Sequence, residues 1–180
     1  GGEAERITEG MAFDSQPRFS PDGERIVFIS DRSGGENVWL YDWQDEDADP
    51  EQLTQGSNNE YQSPIFTPDG RYVIASRSTG GLGSRHMFMF HVDGGSGTRL
   101  MSNSGLHKTG AAFGADERFI WFAERGSGSW QYNAQFPQYQ LAVYDRETGE
   151  HHRRSAAFGS AFRPTLSPDG RWLVYGTRYD

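Results

Sequence analysis

A four-residue turn signal recurs along the chain and sets limits on its architecture. The sequence Ser20-Pro21-Asp22-Gly23 returns as Thr67-Pro68-Asp69-Gly70 and as Ser167-Pro168-Asp169-Gly170, with a degenerate copy at residues 114–117. Successive copies begin 47, 47 and 53 residues apart. Ser or Thr first, Pro second and Gly fourth are the preferences of a type I turn. Each copy therefore predicts the corner of a β-hairpin.

The spacing of the corners predicts the blades of a β-propeller, because repeats of about 40 to 50 residues suit four-stranded blades. Residues 26–29 are apolar at every position, which indicates a strand buried on both faces. First strands are expected at 16–19, 62–66, 110–113 and 162–166, and second strands at 25–30, 72–76, 118–123 and 172–177. Third strands are expected at 37–42, 86–91 and 140–145, and fourth, outer strands at 51–54, 98–101 and 151–154.

These repeats divide the chain into three complete blades and two partial ones. The complete blades cover about residues 11–56, 57–104 and 105–155, while residues 156–180 begin a fourth and residues 1–10 resemble an outer strand of a preceding or shared blade. Closed propellers contain about four to eight blades. We therefore expect an all-β partial β-propeller with half-blades at both ends. A self-contained β-array and two copies joined through their open edges are the alternatives.

Composition narrows the range of partners. The net charge of −8 argues against nucleic acid or an anionic membrane surface as the main partner. No apolar stretch approaches the length of a transmembrane helix. Cysteine is absent, which fits either an exported bacterial protein or a cytosolic one. We therefore expect neither nucleic-acid binding nor membrane insertion.

The first repeat resembles the repeat of TolB-like propellers in its segments FSPDG, IVFISDRSG and VWLYD, which lie between residues 19 and 42. More narrowly, residues 88–97, 131–133 and 141–150 are similar to exported bacterial proteins in which such a propeller precedes a metal-dependent amidohydrolase domain. The resemblance implies a periplasmic or extracellular location. It also implies that any metal would belong to a catalytic domain outside this chain.

No catalytic group is expected within these residues. Metal-dependent amidohydrolases need a His-x-His motif, because several imidazoles must converge on one cation. The five histidines do not form it; they are His86, His91, His107, His151 and His152. A serine hydrolase needs Gly-x-Ser-x-Gly, and residues 94–98 lack the last glycine. We therefore predict no catalytic residue, no metal site and no cofactor in this chain.

Binding is expected at one face of the propeller, which we call the long-loop face. It carries the connections from second to third strands, and these lengthen from residues 31–36 to 78–85 and 124–139. Long loops with large aromatic side chains on a rigid scaffold are frequent binding sites. The candidate contact residues are Trp130, Tyr132, Asn133 and Phe136.

Four arginines lie near the start of the long-loop face, close to the ends of the second strands: Arg32, Arg77, Arg125 and Arg178. Together they would form part of a basic rim that binds carboxylates of a partner or substrate. The alternative is that each arginine pairs with a nearby acid, such as Asp31 or Glu124, and only fixes its own loop.

Two functions of different classes follow. The chain is either a non-catalytic propeller module of an exported, amidohydrolase-like hydrolase that frames or gates a catalytic domain, or a protein-interaction propeller in the periplasm. Its partner would be the neighbouring catalytic domain, another protein or, through the open edges, a second copy.

Overall fold

The computed structural model describes residues 2–4, 6–45, 47–79, 85–101, 107–114, 117–125, 138–156 and 160–178. Within this part the chain contains fourteen β-strands and no helix, which confirms the all-β class. Consequently no helix in this part is long and apolar enough to span a membrane.

The strands form four antiparallel sheets in which spatial order equals sequence order. The first sheet contains β1 (Asp14–Phe19), β2 (Arg25–Ser30), β3 (Asn37–Asp42) and β4 (Glu51–Gln52). The second contains β5 (Asn59–Phe66), β6 (Tyr72–Thr79), β7 (His86–His91) and β8 (Thr98–Arg99). The third contains β9 (Lys108–Phe113), β10 (Phe119–Arg125), β11 (Tyr139–Asp145) and β12 (His151–Arg153). The last contains β13 (Ala161–Leu166) and β14 (Leu173–Thr177).

Successive sheets stack through their first strands. Strand β5 packs against β1, β2 and β3, strand β9 packs against β5, β6 and β7, and strand β13 packs against β9, β10 and β11. Three four-stranded blades and the start of a fourth therefore follow one another, which confirms the partial β-propeller.

The predicted corners form in the three complete copies of the turn signal. The backbone N–H of Gly23 donates to the carbonyl of Ser20 at 2.9 Å, and the other two copies repeat this bond at 2.8 Å. The glycine that ends each copy has φ between 67° and 77°, the left-handed region that glycine adopts without steric cost. The corner is thus set by local chemistry.

The hydrophobic core lies along the strands and the seams between blades. On β2, Val27 and Ile29 join a cluster that includes Tyr61 of the second blade, whereas Ile26 and Phe28 join a separate cluster within the first blade. This strand is therefore buried on both faces, as its apolar run predicts. A further cluster, which includes Ile74 and Phe122, joins the second and third blades.

The N-terminal residues 6–10 form no strand. Instead, the Arg6 guanidinium donates to the carbonyls of Thr8 and Gly10 at 2.7 and 3.2 Å. The expected half-blade at 1–10 therefore stays a prediction, while β13 and β14 supply the expected start of the fourth blade.

Candidate functional site

A β-bulge interrupts the first strand of every blade at an equivalent place. The pairing of each first strand with the second strand slips by one residue there. The leading residues of the bulges have positive φ, with 57° at Gln16, 53° at Ser63, 71° at Gly110 and 53° at Arg163. Three of them are not glycine, and such backbone is strained unless the surroundings hold it.

The bulges of neighbouring blades touch one another. The side-chain oxygen Oε1 of Gln16 accepts a hydrogen bond from the backbone N–H of Ser63 at 2.7 Å. Ser63 Oγ lies 3.3 Å from Thr109 Oγ1, next to the third bulge. A Cβ atom added to Gly110 would lie 3.6 Å from the Cα of Arg163. The bulges thus form a continuous row along the first strands, which we call the bulge row.

Sequence reasoning missed the bulge row, although it leaves a signal. In three of the four first strands the leading bulge residue is followed by proline, at Pro17, Pro64 and Pro164. Proline has no N–H to donate to the ladder, so within sheets it occurs at edges and bulges. Bulges often re-aim side chains near functional sites.

Arg32, the first arginine of the expected basic rim, is held by its own blade. Its Nη2 lies 2.9 Å from Asp14 Oδ2, and its Nε donates to Ser30 Oγ at 3.0 Å. Its guanidinium also lies 5.3 Å from the ring centre of Phe28 and 5.1 Å from that of Trp39. The local partner is Asp14 and not Asp31.

Arg77 and Arg125 have different surroundings. The guanidinium carbon of Arg77 lies 3.7 Å from the centre of the Phe88 ring. The backbone N–H of Arg125 donates to the carbonyl of His107 at 2.8 Å. Within the described residues neither arginine forms an ion pair with a carboxylate, and both are half-buried. Arg178 is exposed just beyond β14.

Arg77 and Arg125 belong to a basic cluster where the second and third blades meet on the long-loop face. The backbone N–H of Lys108 donates to the carbonyl of Arg85 at 2.9 Å, so the start of β9 runs beside the chain that enters β7. We call the cluster the basic seam; its members are Arg77, Arg85, His86, Arg99, His107, Lys108 and Arg125.

The ionisation of the seam reflects its positive charge. Burial is the largest cause that lowers the pKa of His86, and the charges of Arg99, Lys108 and Arg77 add to it. Burial also lowers the pKa of His107, with further contributions from Arg125, Arg85 and His86. Each histidine therefore resists protonation, first because it is partly buried and then because several cations surround it.

Two carboxylates lie among these cations. Glu60 Oε2 accepts hydrogen bonds from Arg85 Nη2 at 3.2 Å and from Ser78 Oγ at 3.1 Å. The side chain of Glu124 is 5 % exposed and meets Lys108 Nζ at 3.9 Å, His151 Nε2 at 3.3 Å and Arg153 Nη2 at 3.1 Å. Glu124 therefore pairs with Lys108 and Arg153, beside the imidazole of His151, and not with Arg125.

Comparison with known proteins agrees with this architecture. Residues 1–133 match the family described as TolB beta propeller domain. The chain belongs to the TolB beta propeller domain family. An "Uncharacterized peptidase YuxL" of Bacillus subtilis (strain 168) is 27 % identical over 168 residues, which cover 93 % of this chain and 22 % of that protein. This TolB-family chain therefore spans about a fifth of that relative's length.

Solved structures show the same fold. The crystal structure of TolB from Acinetobacter baumannii matches with a TM-score of 0.77 at 20 % identity, covering 96 % of this chain and 39 % of that one. A Mycobacterium tuberculosis puromycin-hydrolyzing peptidase matches with a TM-score of 0.69 at 16 % identity, covering 91 % and 25 %. These relatives of the TolB-family chain are TolB and peptidase propellers, and they lend no support to the amidohydrolase resemblance.

Several site predictions for this TolB-family propeller stay predictions. The aromatic residues Trp130, Tyr132, Asn133 and Phe136 lie outside the described residues. In the part that is described, no group of three or more His, Cys, Asp or Glu side chains is arranged to hold a metal ion. Two of the four predicted arginines, Arg77 and Arg125, share one cluster, whereas Arg32 is engaged elsewhere.

Proposed function

We propose that this chain is the non-catalytic propeller module of a peptidase-type hydrolase, in which it frames or gates access to a catalytic site outside these residues. One observation carries the proposal. The similarity to the Bacillus peptidase extends over 93 % of this chain but over only 22 % of that protein. The repeats therefore align with one part of that longer relative, which supports a role as one module of a larger protein.

The structure of the blades suits a framing role. Buried side chains join each complete blade to the next, and the bulge row ties the first strands of these blades together through polar contacts. Such a support holds in place the described strand ends that border the long-loop face. The catalytic groups, and any metal that they use, would be supplied by other parts of that protein.

The test compares the full-length parent protein with a variant that lacks residues 14–177. If the propeller frames the catalytic site, the intact protein should hydrolyse short peptides much faster than long ones. The variant should still hydrolyse a small chromogenic peptide amide, but its rates for short and long peptides should differ less. Circular dichroism checks that the remaining domain is folded. A parent protein without any peptide or amide hydrolysis would refute the proposal.

A second candidate is a TolB-like protein-interaction propeller in the periplasm, which family membership and the likeness to Acinetobacter TolB support. Stable capture of a partner by the full-length protein, without hydrolysis of any peptide, would favour it. One partner of this kind is a second copy of the chain that pairs with the edge of β14. Sedimentation would detect such an assembly as a dimer.

We also propose a periplasmic or extracellular location, because the chain belongs to the same family as TolB. Fractionation of the source cells with an antibody against the native protein tests this location. Recovery in the cytosol would contradict it.

A further inference from the structure

The basic seam concentrates positive charge on an acidic protein. The chain has a net charge of −8, yet its seam holds five cationic side chains beside two carboxylates. The carboxylates are Glu60 and Glu124, and Glu124 is already shared by Lys108, His151 and Arg153. The seam therefore keeps a local excess of positive charge.

Three arginines of the seam lack a carboxylate partner within the described residues: Arg77, Arg99 and Arg125. Arg99 Nη2 lies 3.0 Å from His86 Nδ1, and its Nε donates to the carbonyl of Met101 at 3.0 Å. Both of these partners are neutral when His86 is unprotonated. Arg77 and Arg125 are half-buried, whereas Arg99 is exposed. A half-buried guanidinium has given up part of its hydration, so an anion that reaches Arg77 or Arg125 gains a strong, charge-assisted hydrogen bond.

We propose that the basic seam binds the carboxylates of an acidic peptide segment. The inference rests on the proposed function, because that function requires the long-loop face to meet a substrate or partner. It adds the chemistry of the occupant: side-chain or terminal carboxylates of a short peptide, held between the second and third blades.

The surroundings of the seam favour a peptide over a larger polyanion. Glu60, Glu124 and the negative charge of the whole chain would repel an extended phosphate backbone. Aromatic rings stand next to the arginines, since Phe88 lies under Arg77 and Tyr139 is the cross-strand partner of Arg125. Arginines beside aromatic side chains are typical of peptide and protein interfaces.

Fluorescence anisotropy with the full-length protein tests the proposal directly. The probe is a labelled ten-residue peptide with four glutamates, and its matched control has glutamines at the same positions. We expect the glutamate peptide to bind and the glutamine peptide to bind at least about tenfold more weakly, which corresponds to one charge-assisted contact. Added salt should weaken only the first interaction.

Variants locate the binding to the seam. Arg77→Gln and Arg125→Gln should each weaken binding of the glutamate peptide about tenfold, and Arg77→Lys should restore part of the loss because the charge remains. The control is Arg71→Gln, which removes the same charge from an exposed arginine at a corner on the opposite face. Binding by that variant should be unchanged.

Specific results would overturn the inference. These are equal binding of the two peptides, an effect of Arg71→Gln as large as that of Arg77→Gln, or tighter binding of single-stranded oligonucleotide or phosphatidylglycerol vesicles than of the peptide. Peptide hydrolysis without binding at the seam would refute this inference alone. Binding at the seam by a protein that hydrolyses nothing would refute the proposed hydrolase role and leave the docking site in place.

Discussion

The side chain of Gln16 accepts a hydrogen bond at 2.7 Å from the backbone of Ser63, its counterpart in the next blade. Both residues lead a β-bulge, and both have the positive φ that side chains with a Cβ rarely adopt. The bond therefore joins two strained points of successive first strands. Because the surroundings must hold such strain, the bulge row should respond sharply to the shape of the side chain at each position.

We expect Ser63→Val to destabilise the propeller by about 1 to 3 kcal/mol, because a β-branched side chain is poorly compatible with φ of 53°. Ser63→Gly should change stability much less, since glycine accepts this backbone freely. Thr109→Val is the matched control, because it removes the contact with Ser63 Oγ without a bulge conformation to strain. Scanning calorimetry of the three variants measures the difference, and equal stability of the valine and glycine variants at residue 63 would contradict it.

The corner acids should make the propeller more stable at neutral than at acid pH. Hydrogen bonds, the largest from Thr67 and then those from Arg71, lower the pKa of Asp69 to about 2. An unfolded aspartate has a pKa of about 3.9. The folded state therefore holds fewer protons between these values, and the stability that Asp69 contributes is present above about pH 4 and is lost as the pH falls towards 2.

Asp69→Asn tests this contribution. The variant should have a lower unfolding midpoint than the wild type at pH 5, and the gap should close as the pH approaches 2. Glu51→Gln, at an exposed position outside any corner, is the control. A gap between wild type and Asp69→Asn that stays constant from pH 5 to 2 would show that the carboxylate does not act through its ionisation.

The repeat architecture could be predicted because its signals are local. The corner at residues 20–23 contains all the groups that close it, so sequence preferences suffice there. The limits of the strands were less accurate: the first strands begin one to three residues earlier than expected, as at Asn59 in β5. The bulges cause this difference, because they absorb one extra residue and let pairing continue beyond them.

The partners of the arginines could not be predicted, since they depend on register and on contacts between blades. Asp14 reaches Arg32 because the β1 bulge places it opposite Ser30 across the sheet. Asp31, the neighbour in sequence, instead accepts a hydrogen bond from the backbone N–H of Phe13. Likewise, Arg85 and Lys108 meet only because the second and third blades stack.

Arg32 should contribute to stability and not to peptide binding. Arg32→Gln removes the ion pair with Asp14 and the contacts with two aromatic rings, so we expect a loss of about 1 to 2 kcal/mol. A double-mutant cycle with Asp14→Asn should show coupling between the two residues in thermal unfolding. Arg77→Gln is the comparison variant, because it should weaken binding of the glutamate peptide whereas Arg32→Gln should not. Loss of peptide binding in Arg32→Gln would contradict this prediction and would favour the expected rim in which all four arginines bind carboxylates.

Acidification below neutral pH should destabilise the seam through its histidines. Burial and the neighbouring cations lower the pKa of His107 and of His86 below the value of about 6.5 of an unfolded histidine. The unfolded chain therefore takes up protons first as the pH falls. The free energy of unfolding should decrease from about pH 6.5 down to the lowered pKa of the folded state.

His107→Gln should remove part of this dependence, because glutamine cannot be protonated. We expect the unfolding midpoint of the variant to fall less than that of the wild type between pH 7 and 5. His152→Gln, at an exposed position outside the seam, should follow the wild type. A bound carboxylate offsets the cations that surround both histidines, so the glutamate peptide should reduce the pH dependence of the wild type. It should reduce that of His107→Gln less, because of the two seam histidines only His86 remains. An identical response of all three proteins would contradict the electrostatic origin of the effect.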